Sequence, residues 1–200
     1  MKISTVFLLI LGCLTACDEP VSESATHATT NSTPTATAAT SSKQMVDKAY
    51  LGMPIEEFKR VYKEGKFIEE PVHEYGVDGE SMGLKVVENG EPVLFVWTFE
   101  GDDKVSGITV LSPKVTVDST IYVGATASDF FKRNPSAEFE VHMIDERFEL
   151  GYVKGKNYTV EFLTTDSTRV GNYEYGDSQP KFLRLKRPDA KIDRITIENK

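Results

Sequence analysis

Residues 18–45 set the first limit on what this chain can fold into. Seventeen of these 28 residues are Ser, Thr or Ala, none is aromatic, and few are large and apolar. Such a stretch has too little apolar surface to offset the entropy lost on ordering. It predicts a disordered linker that spans about 30 Å root-mean-square as a flexible coil. Asn31-Ser32-Thr33 fits a glycosylation pattern but reads as linker composition. Everything able to build a core lies in residues 46–200, a length suited to one domain.

The linker is preceded by Lys2 and an almost unbroken apolar run, Ile3 to Leu14. That run is too short for a bilayer core of about 30 Å, which needs roughly 20 apolar residues. It has the length of a signal-peptide apolar region. It ends in Leu14-Thr15-Ala16-Cys17, which resembles the lipobox of bacterial lipoproteins. The resemblance implies cleavage before Cys17, a diacylglycerol on its thiol and acylation of the new amino group. Residues 1–16 would be the signal peptide and residues 17–45 the lipidated cysteine and linker. A chain so processed is anchored in the bacterial cell envelope by its lipid, with its domain in the periplasm. Asp18 resembles the signal that retains lipoproteins of enteric bacteria in the inner membrane, which favours inner over outer.

Within residues 46–200 two pairs of segments look alike. Tyr50, Gly52, Glu57 and Phe58 recur as Tyr122, Gly124, Asp129 and Phe130, at an offset of 72. Residues 102–110 recur as 189–197, at an offset of 87. The pattern predicts an internal duplication, about 46–115 and 116–200, with some 15 extra residues in the second copy. Each copy reads as a helix followed by an antiparallel meander. Pro54 suits the first helical position, Ile55, Phe58 and Tyr62 share one helix face, and Gly65 can end the helix. Ala127, Phe130 and Phe131 form the second apolar face, and Pro135 stops it. Strands are expected at 84–87 and 93–99 around the Asn89-Gly90 turn signal. Others are expected at 105–111, 147–153, 158–163, 182–185 and 192–197. The expected fold class is therefore α+β: two helix-plus-antiparallel-meander repeats, possibly sharing one sheet. Gly52-Met53-Pro54-Ile55-Glu56-Glu57 loosely resembles the Gly-Met-x-x-x-Glu helix start of outer-membrane assembly lipoproteins. The layout also resembles β-lactamase-inhibitor-like folds. The second copy departs from that start, with Ala125 in place of Met53.

A formal net charge of −8 excludes the basic field that nucleic-acid binding needs. Two cysteines, Cys13 and Cys17, and three histidines leave no zinc site of the usual kind, and no metal or other cofactor is expected. The chain has no nucleophile elbow, phosphate loop or dinucleotide motif. His73, between Glu70 and Glu74, and His142 read as exposed loop histidines, and Asp102-Asp103 as a solvated turn. Trp97 shares a strand face with Phe95 and Phe99 and serves either core packing or an aromatic platform. The extra residues of the second copy, from about Thr164 to Lys186, hold Tyr173, Tyr175 and Arg184. These residue types are enriched where partners bind, so these three are the candidate partner-binding residues. A basic edge strand protected by charge is the competing reading of Lys181 to Arg187. The expected function is a non-catalytic binding or scaffold module with an envelope protein partner. An envelope hydrolase with an unrecognised site is the alternative.

Overall fold

A computed structural model describes residues 44–118, 120–176 and 180–199. Cys17 and the linker up to residue 43 lie outside the described residues. Among the described residues no helix is long and apolar enough to cross a membrane.

The described residues are β-rich, with 42% strand and 14% helix, which overturns the expected α+β class of helix-plus-meander repeats. The strands are β1 (Lys66–Pro71), β2 (Met82–Glu88), β3 (Glu91–Trp97), β4 (Gly107–Val110), β5 (Thr116–Asp118) and β6 (Ile121–Tyr122). They continue as β7 (Glu138–Val141), β8 (Phe148–Tyr152), β9 (Tyr158–Leu163), β10 (Gly171–Glu174), β11 (Lys181–Leu185) and β12 (Arg194–Glu198). Eight of them form one antiparallel sheet in the order β1-β2-β3-β4-β12-β9-β8-β7. Among the described residues there are two α-helices, α1 (Ile55–Val61) and α2 (Ala127–Arg133), of seven residues each. Both helices stop after two turns, and the segments that follow them, 66–71 and 138–141, become the sheet's outer strands.

The helix starts and hairpins follow their local chemistry. Thr126 caps α2, accepting from the Asp129 N–H at 2.9 Å. Pro54 is the N-cap of α1 rather than its first helical residue, and α1 ends at Val61, short of Gly65. Glu56, Glu57 and Asp129 lie in first turns, where the helix dipole favours negative charge. Between β2 and β3 the turn residues Asn89 and Gly90 have φ of +53° and +83°, as a two-residue hairpin turn with both central φ positive requires.

Corresponding backbone bonds tie each helix start to the sheet. Gly52 N–H donates to Val105 O, and Gly124 N–H to Ile192 O, both at 2.7 Å. The segments 102–110 and 189–197, alike in sequence, meet at the sheet centre, where Thr196 stands opposite Thr109.

Alternation divides the sheet into two faces. Val86, Leu94, Val96, Ile108, Val110, Val160, Phe162, Ile195 and Ile197 share one apolar core with Phe58 and Phe130 of the helices. Phe58 and Phe130, expected in equivalent core positions, are 0% and 1% exposed. The opposite face carries a second, smaller cluster of Val72, Tyr75, Phe95 and Trp97. Trp97 is therefore core, while Phe99 lies past the strand end and is exposed.

Candidate functional site

The face opposite the helices has a polar centre. Glu161 on β9 and Arg194 and Thr196 on β12 alternate with the core residues of those strands, so their side chains leave the apolar face. They are nevertheless buried. Arg194 Nε donates to Glu161 Oε2, and Thr196 Oγ1 donates to Glu161 Oε1 at 2.6 Å. Thr196 also meets Thr109 Oγ1 at 3.1 Å. Burial pushes the Glu161 carboxyl upward, while Arg194 and Thr196 pull it back. The guanidinium lies 3.8 Å from the Phe148 ring centre, and its Nη1 donates to the Glu74 carbonyl at 2.8 Å. Its Nη2 is buried with no hydrogen-bond partner.

Two segments wall this polar centre. One is the 3-10 turn Val72–Tyr75, ending in Gly76 at φ +74°. Tyr75 stacks on Phe95 with ring centres 3.6 Å apart, which fixes the turn to the sheet. The other wall is the segment 142–147 between β7 and β8. His142 holds its shape: the Ile144 and Asp145 N–H groups both donate to Nδ1 at 3.0 Å. Nδ1 is therefore an acceptor, and the ring is the neutral tautomer protonated at Nε2. Burial and the nearby Arg194 charge push this imidazole below its ordinary value, and Asp145 opposes them. Arg147 pairs with Asp145 at 2.8 Å and reaches Glu74 of the opposite wall at 3.5 Å. Between the walls lies a cleft of about 260 Å³, with Thr159, Glu161, Thr196 and Glu198 at its floor and Gly76, His142 and Ile144 at its sides.

The outer side of the 142–147 segment borders a second hollow, a groove of about 410 Å³. It is lined by Glu140, Val141, His142, Met143, Glu146, Asp166, Arg169, Tyr175 and Pro180. Of its apolar lining, Met143 and Tyr175 are 78% and 70% exposed. Large apolar side chains gathered in this way at a concave surface mark interaction sites more often than scattered ones do.

None of the family models matches the chain, and none of the curated proteins does. Solved structures similar to it include two of bacterial proteins. One is the crystal structure of the uncharacterized protein yfeY from Escherichia coli, 14% identical with a TM-score of 0.49, covering 78% of this chain and 97% of that one. The other is an extracellular protein containing an SCP domain from Bacillus anthracis, 15% identical with a TM-score of 0.36, covering 74% of this chain and 44% of that one. Likenesses this distant say nothing of activity.

The three residues singled out in the extra segment have different settings. Strands β10 and β11 form a separate two-stranded ribbon. Tyr173 turns inward, where its hydroxyl donates to Glu149 Oε1 at 2.6 Å and its ring packs near Phe182. Glu149, fully buried, also accepts from the Val170 and Gly171 N–H groups at 2.6 and 3.0 Å. Tyr173 thus fastens the ribbon to the sheet. Tyr175 is exposed in the groove, and Arg184 is exposed on β11. Cys17 lies outside the described residues. His73 is exposed, 3.9 Å from Glu74. His142, expected in an exposed loop, is 8% exposed. Asp102 caps a turn, accepting from the Lys104 N–H at 3.1 Å. Among the described residues no group of three or more His, Cys, Asp or Glu is placed to hold a metal ion.

Sequence reading missed Glu161, Arg194 and His142. Alternation of Glu161 with Val160 and Phe162, and of Arg194 with Ile195, assigns both charged residues to the solvent face. Only the two walls, distant in sequence, bury them. The one local signal was opposite charge on two strands that both alternate with core residues.

Proposed function

We propose that this protein is a lipid-anchored, non-catalytic binding module of a bacterial envelope, held in its membrane through Cys17. Its partner surface is the groove beside Tyr175. The observation that carries the binding reading is the pairing of exposed Met143 and Tyr175, with Val141 and Pro180, about a concave surface. The rim holds Glu140, Glu146 and Asp166 with Arg169, which favours a protein segment with an apolar anchor and basic neighbours. A non-catalytic role is further supported by how the buried ionisable groups are used. Glu161 is engaged by Arg194 and Thr196, Glu149 by two backbone amides and Tyr173, and His142 Nδ1 by two amides. Each is engaged in holding the fold. The anchor rests on Leu14-Thr15-Ala16-Cys17 after its apolar run.

Two measurements on the full chain in bacterial cells test this reading. Labelled palmitate should enter the wild type and not Cys17→Ser. A photoreactive residue at position 175 should crosslink to an envelope protein, whereas one at position 122, also exposed, should not. Equal palmitate labelling of both forms sinks the anchor. Identical crosslinks from both positions, or none from 175, sink the partner surface.

A further inference from the structure

Among the described residues His142 alone lines both the cleft and the groove, and its place depends on carrying no charge. Its Nδ1 accepts two backbone N–H groups. An imidazolium has a donor at both nitrogens, so protonation turns two hydrogen bonds into two N–H to N–H conflicts. The other end of the ring rests against the opposite wall. Gly76 sits so close that a β-carbon there would overlap Nε2.

The surrounding charges do not rescue the cation. Arg194 on β12 faces it from below with a like charge. Asp145 on its own segment is claimed by Arg147, and Glu161 on β9 by Arg194. The remaining carboxylates stand around the two hollows. Glu198 and, beyond the 3-10 turn, Asp78 line the cleft, while Glu140, Glu146 and Asp166, with the cation of Arg169, line the groove.

We propose that His142 is a proton-operated latch: taking up a proton releases the 142–147 segment from Gly76 and opens the polar cleft, changing the shape of the groove on its other side. The closed form holds the neutral ring. The open form exposes the ring to water, where its ordinary value is about 6.5. The open form therefore binds more protons, and acidification favours it. The opening equilibrium should rise up to about tenfold per pH unit below about pH 6.5, until the closed form itself takes up a proton. The latch stands on the geometry of His142 alone and holds whether or not the groove binds a partner.

The test is amide hydrogen exchange of the full chain in detergent micelles from pH 7.5 to 5, with rates corrected for the intrinsic pH dependence of exchange. The Ile144 and Asp145 amides should lose protection as pH falls, by up to about tenfold per unit, while amides of β9 and β12 keep theirs. His142→Asn places a non-titrating acceptor, Oδ1, at the position of Nδ1 and should flatten the profile, and His73→Asn should leave it unchanged. A ring-nitrogen titration of the wild type provides a measurement independent of any variant. His142 should be neutral with Nδ1 unprotonated where protection begins to fall, and its titration should be centred below the ordinary histidine value, with Nδ1 the nitrogen that gains the proton; a midpoint at or above the ordinary value would overturn the latch. Constant protection down to pH 5, loss shared equally by β9 and β12, or dependence on His73 instead would each overturn the latch.

Discussion

Replacing Arg194 by Met tests whether the buried pair holds the face opposite the helices together. Methionine keeps much of the apolar bulk and removes the charge. The variant loses the bond to Glu161, the 2.8 Å bond to the Glu74 carbonyl and the cation stacked 3.8 Å from the Phe148 ring centre. Glu161, 2% exposed, is left with Thr196 as its one side-chain donor. Removing one partner of a buried pair costs about 3–5 kcal/mol, because an uncompensated charge stays behind. For a domain of this size each kcal/mol lowers Tm by about 2–4 °C, so a fall of about 6–20 °C is expected. Glu161→Leu combined with Arg194→Met removes both charges and should return stability to within about 2 kcal/mol of the wild type. The pH dependence has a definite sign. With Arg194 gone, burial raises the folded-state value of Glu161 above its unfolded value. Stability is then fully present below the ordinary glutamate range and is lost as pH rises through the folded value. The deficit of Arg194→Met should accordingly be smaller at pH 5 than at pH 8. Urea unfolding followed by the fluorescence of Trp97, the single tryptophan and 2% exposed, measures all three. A deficit below about 1 kcal/mol, a double variant as weak as the single one, or a deficit that grows in acid refutes the reasoning.

Gly76→Ala combines a left-handed φ with overlap on His142, and should cost about 1–3 kcal/mol in urea unfolding. Gly176→Ala, with open space around it, should cost almost nothing. Phe58→Ala and Phe130→Ala each empty a fully buried site and should each cost about 3–5 kcal/mol by thermal or chemical unfolding. Tyr173→Phe removes one of three donors to buried Glu149 and should cost about 1.5–3 kcal/mol. Tyr175→Ala should leave the unfolding midpoint unchanged while abolishing any crosslink made from the neighbouring groove residues.

Local chemistry was enough to place most of the elements. Asn89-Gly90 set a hairpin because both residues accept positive φ, and that turn aligned β2 with β3. The alternating runs at 105–111, 158–163 and 192–197 became β4, β9 and β12 because period-two apolar patterns suit a sheet with one buried face. Phe58 and Phe130 were legible as core because each sits on the apolar side of a short helix.

The class of the fold was decided elsewhere. Segment 66–71, Lys-Phe-Ile-Glu-Glu-Pro, has no clear alternation, and 138–141, Glu-Phe-Glu-Val, alternates over four residues only; each becomes a strand because a neighbour supplies its ladder. The candidate site was less legible still. Arg194 and Glu161 stand 33 residues apart, and their burial comes from segments around residues 75 and 142 that close over one sheet face. Tyr173 and Tyr175, two residues apart, have opposite fates because Glu149 lies beneath one of them and open groove beside the other. By itself the sequence determined the periodicities, turns and helix starts, since these depend on neighbours along the chain. Only the tertiary structure decided which charges are buried, since burial depends on what the rest of the chain places on top.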